Sequence, residues 1–232
     1  MQLFLLDHID LKWHDIILDH PEVWQQAKKV LRLWSGDRIF VQRQAENQQA
    51  IRYEVEVTAL KDFKLFGTVV QTMQSDIDEK AISMIVAMPN KREKAELIVQ
   101  KLTEIGVNEI IFRPSERSII RERNANKATR LEKIMKEALE QSRGWKLPKI
   151  SFVEKIEPIV EWKNIVLFDK SEWPSTWRPD GLYGLVGPEG GRWPKDYELF
   201  KQYDIVTKDL GSTILRMETA AIVGAWVLKN LL

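Results

Sequence analysis

Cysteine is absent from the 232-residue chain, and its absence removes several kinds of site at once. Without a thiol the protein has no disulfide, no zinc–thiolate site and no cysteine nucleophile. The three histidines, His8, His14 and His20, all lie within the first twenty residues. The remainder of the chain therefore has no histidine base and no histidine metal ligand, and we predict no bound metal.

Two familiar nucleotide-binding motifs and a membrane-spanning segment are also missing. No segment has the pattern G-x-x-x-x-G-K-[ST] of a phosphate-binding loop, and no strand is followed by the dinucleotide-binding turn G-x-G-x-x-G. The longest apolar stretch, near AAIVGAWVL, is about half of the ~20 residues that span a bilayer. The N-terminus lacks the pattern of a signal sequence. We expect a soluble, cytoplasmic protein.

Charge is balanced over the whole chain but not locally. The net charge is +1, whereas residues 113–149 include eleven basic and five acidic side chains. Such a surplus suits a surface that binds a polyanion. A solvated helix that carries many charges has the same composition, so composition alone leaves both interpretations open.

The hydrophobic pattern divides the chain into two regions. Residues 1–73 contain several short segments that alternate like β-strands and one helical segment at 21–33, a combination typical of a small barrel. From residue 74 onward, short apolar strands alternate with amphipathic helices, which predicts a mostly parallel α/β sheet with helices on both faces. We predict a β-barrel domain at 1–73 and an α/β domain at 74–232. The predicted helices of the second domain span 91–107, 126–142 and 215–232.

Two segments that contain glycine follow predicted strands of the α/β domain. They are LVGPEGG at 185–191 and DLGSTILRMETA at 209–220. Ligands of an open parallel sheet bind beyond the carboxyl ends of its strands, where glycine allows the backbone to approach a ligand closely. Peptide groups of these segments could contact a purine and a ribose without any side chain.

These two segments and four others resemble the 16S ribosomal RNA uridine N3-methyltransferases, a family of the SPOUT superfamily of knotted methyltransferases. The other four are VLRLWSGD, KREKAELIVQKLTEIGVNEI, RPSERS and EALEQSRGWKLPKI. The similarity runs in order through nearly the whole chain. It departs from the family pattern at Thr213, at Met217 and in the order of Arg143 and Gly144.

The resemblance implies a PUA-like β-barrel that helps to hold RNA, and an α/β domain whose last segment forms a deep trefoil knot. S-adenosylmethionine would bind in the knot against backbone groups from three loops. The enzyme would act as a homodimer on 16S ribosomal RNA of the small subunit. The implied cofactor-binding residues are Leu167, Phe168, Val186, Gly187, Pro188, Glu189, Gly190, Gly191, Leu210, Gly211, Ile214, Leu215, Glu218, Thr219 and Ala220.

Methylation of N3 of uracil removes a proton from a weakly acidic nitrogen, so it needs a base or cations that stabilise the developing anion. Methylation of C5 through a cysteine adduct is excluded, whereas methylation of nitrogen or oxygen is open. We predict Arg216, Arg143 and Glu189 as catalytic residues. Glu189 and Glu218 could each serve as the base or cap a helix, and we favour a capping or hydrogen-bonding role for Glu218 in the first turn of the closing helix. The predicted RNA-binding residues are Arg32, Arg117, Arg143, Trp145 and Lys146. A knotted 2′-O-ribose methyltransferase and a non-catalytic RNA-binding protein of the same fold are the alternatives.

Overall fold

The described part of the chain is an α/β protein with two six-stranded sheets. The structure is a computed structural model that describes residues 1–44, 49–75, 81–113, 125–156, 159, 164–170, 182–188, 200–203 and 205–231. The chain divides into two compact units. Unit 1 contains Met1–Ile77 and Leu139–Lys146, and unit 2 contains Asp78–Ala138 and Leu147–Leu232.

Unit 1 is built on a largely antiparallel sheet of strands β1 to β6. Their bounds are Leu3–Leu5, Asp10–Lys12, Asp15–Leu18, Arg38–Gln44, Ala50–Lys61 and Lys64–Gln74. They lie in the order β1-β4-β5-β6-β3-β2, and β1 runs parallel to β4. Successive side chains of a strand point to opposite faces. Ile39 and Val41 of β4 and Val55 and Val57 of β5 accordingly pack together in the core of this unit.

One short helix, α1 (Pro21–Gln25), continues as a π-helical turn over Gln26–Val30. Proline suits the first turn of a helix, where its missing N–H group has no intrahelical partner. The sequence predicts this helix as far as residue 33, but helical geometry ends earlier. Arg32 has a φ of 53°, and a non-glycine residue in this left-handed region cannot continue a right-handed helix.

The hairpin of β2 and β3 is absent from the sequence prediction. All three side chains of β2 are exposed, so this strand has no buried face, and three residues are too few for a periodic pattern to identify a strand. Lys12 pairs with Asp15, and Trp13 in the two-residue turn between them has a φ of 60°. Pairing of β3 with β6 holds the hairpin in place. A local sequence pattern cannot predict this pairing, because β6 is distant from β3 in the chain.

Unit 2 has a parallel sheet of strands β7 to β12 at its centre. Their bounds are Ser83–Ala87, Glu109–Arg113, Lys149–Phe152, Asn164–Phe168, Leu182–Val186 and Val206–Lys208. The order is β12-β10-β11-β7-β8-β9, and each described pairing is parallel. All five residues of β7 are buried, as expected for a central strand that is covered on both faces. The prediction of an α/β protein with a mostly parallel sheet is confirmed.

Within the described ranges, three long helices accompany this sheet: α2 (Arg92–Ile105), α3 (Ala125–Ser142) and α4 (Met217–Leu231). Helix α2 ends at Gly106, which has a φ of 85° and provides the left-handed cap that commonly ends a helix. Helix α4 packs against α2, β7 and β11. None of the helices in the described ranges is both long and apolar enough to cross a membrane.

Candidate functional site

The strand order of unit 2 brings the three predicted cofactor-binding segments together at the carboxyl ends of neighbouring strands. Strands β12, β10 and β11 are neighbours, and the predicted cofactor-binding segments lie at or just beyond their carboxyl ends. The chain leaves β7 towards β8 on one side, whereas it leaves β11 towards β12 on the other. Adjacent strands whose connections run in opposite directions form the crevice in which open α/β sheets bind ligands.

At the end of β10, the side chains of Leu167 and Phe168 point into the protein. Leu167 packs in one core of unit 2 and Phe168 in another, because neighbouring residues of a strand face opposite sides. The next residue, Asp169, donates its backbone N–H to the carbonyl oxygen of Lys208 at 3.3 Å. Only the backbone of this predicted segment is therefore placed to contact a ligand.

Two of the predicted glycines border open space. Among the described residues, a Cβ atom added at Gly187 would meet no atom within 4 Å, and the same is true of Gly211. Gly211 also has a φ of 134°, a conformation that favours glycine over residues with a side chain. Val186 is buried and Pro188 is half-buried, whereas the predicted residues Glu189, Gly190 and Gly191 lie outside the described residues.

The segment after β12 is tied to the segment after β10. Lys170 donates a hydrogen bond from Nζ to the carbonyl oxygen of Ser212 at 2.6 Å. Gly211 donates its N–H to Oδ1 of Asp209 at 2.9 Å, and the half-buried Leu210 packs against the core. Ile214 is 89% exposed, so this segment presents a large apolar side chain that the described fold leaves uncovered.

Arg216 immediately precedes α4. Its carbonyl oxygen accepts a hydrogen bond from the backbone N–H of Ala220 at 2.8 Å, which makes Arg216 the N-cap residue of the helix. The side chains of Arg216 and Thr219 are exposed, and those of Leu215 and Ala220 are half-buried. A guanidinium group therefore lies beside the positive end of a helix, and both favour an anion at this position.

Glu218 lies in the first turn of α4, as predicted, and is only 8% exposed. Its Oε2 lies 3.5 Å from Nζ of Lys94 on α2. Within the described part of the structure, this oxygen has no hydrogen-bond partner. An ion pair slightly longer than a normal hydrogen bond thus compensates the buried carboxylate. Sequence analysis missed Lys94, because a single sequence has no spacing rule that connects residue 94 with residue 218.

Three of the predicted RNA-binding residues lie in one turn of unit 1, residues 143–146. Arg143 is exposed, whereas Trp145 and Lys146 are half-buried. Arg143 has a φ of 55°, an uncommon conformation for a residue other than glycine. Of the other two predicted RNA-binding residues, Arg32 is exposed after α1, and Arg117 lies outside the described residues.

A cavity of about 360 Å³ lies between α3 and β9. Its lining comprises Leu131, Glu132, Met135, Lys136, Leu147, Pro148, Lys149, Ile150 and Phe152. No residue predicted to bind the cofactor or RNA belongs to this set. The crevice at the carboxyl ends of the strands is therefore the better candidate for the functional site, since it collects the predicted segments.

Comparison with known proteins adds an independent observation. Residues 78–229 match the sequence model of a family described as the RNA methyltransferase domain. The chain belongs to the RNA methyltransferase domain family. The matched residues include the whole parallel sheet and most of α4, so the membership covers the segments at the carboxyl ends of β10, β11 and β12.

Two relatives of this RNA methyltransferase match most or all of its length. Ribosomal RNA small subunit methyltransferase E of Bacillus subtilis is 26% identical over 212 residues, which cover 83% of this chain and 81% of the relative. Ribosomal RNA small subunit methyltransferase E 2 of Borreliella burgdorferi is 26% identical over 250 residues, with 100% and 98% coverage.

Solved structures share the fold of this RNA methyltransferase. A ribosomal RNA small subunit methyltransferase E from Neisseria gonorrhoeae, bound to S-adenosyl methionine, has a TM-score of 0.80 at 20% identity and covers 100% of this chain and 98% of its own. A predicted RNA methyltransferase from Thermotoga maritima has a TM-score of 0.67 at 26% identity, with 99% and 97% coverage. The overall α/β architecture is therefore that of known methyltransferase structures.

Proposed function

We propose that this RNA methyltransferase transfers a methyl group from S-adenosylmethionine to N3 of a uridine in 16S ribosomal RNA of the small subunit. The observation that carries the proposal is the adjacency of β12, β10 and β11 in the sheet. The three predicted cofactor-binding segments follow the carboxyl ends of these strands. The names of the bacterial relatives support a small-subunit ribosomal RNA substrate. The choice of N3 of uridine rests on the six segments that resemble the N3-methyltransferase family.

The residues at these strand ends fit a nucleoside ligand. Open space at Gly187 and Gly211 gives a ligand access to peptide groups, and the exposed Ile214 offers apolar surface that a ligand would cover. The Neisseria gonorrhoeae structure of the same fold contains S-adenosyl methionine. When bound, this cofactor supplies the methyl group. The other predicted cofactor-binding residues, including those outside the described ranges, belong to the same proposal.

Arg216 is the residue that we assign to stabilisation of negative charge on the uracil. Loss of the N3 proton places negative charge on the base oxygens, and a guanidinium group can donate two hydrogen bonds to such an acceptor. The start of α4 adds partial positive charge at the same position. Glu189 is proposed to accept the N3 proton, and Arg143 remains a predicted catalytic donor.

The finer features implied by the family resemblance are part of the same proposal. Residues 1–73 would form a PUA-like RNA-binding barrel, and residues 74–232 would form the knotted catalytic domain. The enzyme would act as a homodimer in the cytoplasm, where small ribosomal subunits are assembled. The described β-rich unit 1 and the parallel sheet of unit 2 support this division of roles.

Nucleoside analysis tests the proposal directly. The purified protein is incubated with S-adenosylmethionine that carries a deuterated methyl group and with an unmodified 16S ribosomal RNA transcript or reconstituted small subunits. The RNA is then digested to nucleosides and analysed by mass spectrometry. We expect deuterated N3-methyluridine as the labelled product, and heat-denatured protein provides the control for non-enzymatic methylation.

Other outcomes would change the assignment in specific ways. A label on the ribose as 2′-O-methyluridine would contradict the choice of N3 and favour the 2′-O-ribose alternative. Absence of label, together with no S-adenosylmethionine binding by titration calorimetry, would contradict the enzymatic function. Binding of RNA alone in that case would favour the non-catalytic alternative.

A further inference from the structure

The outward face of the sheet in unit 1 carries a polar cluster that no part of the sequence pattern indicates. Because Ile39, Val41 and Val55 point into the core, the alternation of β4 and β5 places Gln42 and Arg52 on the opposite face. These two residues are direct partners in the register of β4 and β5. Both are nonetheless buried, because residues 139–146 belong to the same compact unit and contact this face.

Arg52 is the centre of these contacts. Its Nη2 donates to the carbonyl oxygens of Arg143 at 2.9 Å and Gly144 at 2.7 Å. Its Nε and Nη2 also donate to Oε1 of Gln42 at 2.9 and 2.6 Å. The guanidinium carbon lies 3.9 Å from the centroid of the Trp145 ring, which is within the range of a cation–π contact.

Two further hydrogen bonds attach the same segment to unit 1. Gln42 donates from Nε2 to the carbonyl oxygen of Trp145 at 3.0 Å. The backbone N–H of Leu5 donates to Oε1 of Glu140 at 2.8 Å. Three consecutive carbonyl groups, those of residues 143 to 145, are thus held by two side chains. Arg143 itself has the left-handed conformation that is common directly after a helix, and the N–H of the next residue, Gly144, donates to the carbonyl oxygen of Leu139 in α3 at 3.1 Å.

The charge of Arg52 is not neutralised by its hydrogen-bond partners. In the described structure, each hydrogen bond of its guanidinium goes to a carbonyl or amide oxygen and none to a carboxylate. Burial, and then the nearby charge of Arg143, lower the pKa of Arg52. Arg52 thus adds positive charge beneath the exposed Arg143 and beside the half-buried Lys146, and such a local surplus of positive charge suits an anionic ligand.

We propose that Arg52 is a positioning residue that holds the 143–146 turn in the shape that binds an RNA phosphate. The inference rests on the proposed function, because it takes RNA as the anion. Arg143 and Lys146 would contact the phosphate, while Arg52 would act through the backbone of the turn and add positive potential from beneath. Phosphate contacts fix the register of a protein on RNA without reading the bases.

Replacement of Arg52 by lysine tests this role. Lysine keeps the positive charge but lacks the planar fork that reaches several oxygens and stacks on tryptophan. The matched control is Arg38→Lys, the same change at an exposed arginine of β4 that bridges Glu54 at 2.9 Å. We expect Arg52→Lys to raise the KM for 16S ribosomal RNA at least tenfold, as expected when a bidentate arginine contact is lost. We expect the control to resemble the wild type in both KM and kcat.

A second experiment tests whether Arg52 acts through the 143–146 turn. It introduces Arg52→Lys into the double variant Arg143→Ala and Lys146→Ala. If Arg52 acts through the turn, adding Arg52→Lys to this background should change the KM for RNA little, because coupled residues are not additive. Full additivity would overturn the proposal, as would a wild-type KM for Arg52→Lys alone. Calorimetric binding of S-adenosylmethionine should be the same for all variants.

Failure of this inference is distinguishable from failure of the proposed function. Filter binding of the RNA transcript measures the same series of variants without any methyl transfer, so it tests Arg52 even if the wild type is inactive. If Arg52→Lys lost cofactor binding or melted below the assay temperature, its role would be support of the whole fold, and the positioning role would be contradicted.

Discussion

Two glycines only three positions apart illustrate how different the reasons for a glycine can be. Gly184 lies inside the protein, where an added Cβ would be 2.5 Å from Sδ of Met84 and 2.9 Å from Cε2 of Phe168. Gly187 lies at the carboxyl end of the same strand, where an added Cβ would meet no atom of the described residues within 4 Å. The first glycine permits packing of the protein against itself, and we attribute the second to packing against a ligand.

This contrast predicts different effects for substitutions at Gly187 and Gly184. Gly187→Val should leave the melting temperature near the wild-type value, because the new side chain enters open space. It should weaken S-adenosylmethionine binding at least about tenfold, which corresponds to ~1.4 kcal/mol. Gly184→Ala should instead cost about 1–3 kcal/mol of stability through overpacking. Calorimetry and thermal melting measure the two effects. Normal cofactor binding by Gly187→Val would contradict the assignment of this segment.

The ion pair of Lys94 and Glu218 is the second residue-scale feature. Lys94→Met keeps most of the side-chain volume but removes the charge that compensates a buried carboxylate. We expect a loss of about 1–3 kcal/mol in the free energy of unfolding, the usual cost of leaving a buried polar group unpaired. Urea denaturation measures it.

The matched control for Lys94 is Lys101→Met on the same helix, which removes an i,i+3 pair with Glu104 near the surface. This change should cost less than about 0.5 kcal/mol, as is usual for surface substitutions. Equal losses for the two lysines would contradict a special role of the Lys94–Glu218 pair.

At the scale of elements, a charge cluster connects two helices of unit 2. Glu96 of α2 accepts hydrogen bonds from Arg130 of α3, and Arg92 on its own helix lies 3.0 Å away. The hydrogen bond from Arg130, followed by the charges of both arginines, lowers the pKa of Glu96. A carboxylate with a lowered pKa in the folded state stabilises the protein above its unfolded pKa, and this contribution is lost as the pH falls through the folded pKa.

The pH dependence of Glu96→Gln tests this link between α2 and α3. At pH 7 the variant should melt at a slightly lower temperature than the wild type, because its amide attracts the arginines less. The difference should disappear as the pH falls below the ordinary glutamate range near ~4.3, and it should shrink in high salt. Glu132→Gln on the exposed side of α3 is the control. A difference that persists at low pH would contradict an electrostatic origin.

The success of sequence analysis differed between elements for physical reasons. Helix α2 could be predicted because its own sequence contains an amphipathic repeat. The short apolar strands could be predicted because each is a continuous apolar run, as in the fully buried β7. Strand β2 was missed because its side chains are exposed and its place depends on β3. The same limit applies to Arg52, which lies in an alternating strand and becomes buried only through contact with residues 91 and 92 positions later in the chain.

At the scale of the whole molecule, the two regions of different hydrophobic pattern correspond to a sheet that is largely antiparallel and one that is parallel. From residue 74 onward the pattern predicted a mostly parallel sheet, which the structure confirms, but in neither region did the pattern predict the order of the strands. That order was decisive for the candidate site, because it made β10, β11 and β12 neighbours and so collected segments that are about 20 residues apart in sequence. Strand order depends on which surfaces fit together in three dimensions, and a local period contains no such information.

The central pairing of the parallel sheet has a consequence for how the chain folds during synthesis. Ser83 of β7 pairs with Tyr183 of β11, 100 positions later. At ~5–20 residues per second, translation separates these partners by roughly 5–20 seconds. For that time one edge of a fully buried strand has no partner, and such edges attract other chains. Strand β7, whose residues are all buried in the folded protein, is therefore a newly made segment that needs protection from other chains on the ribosome.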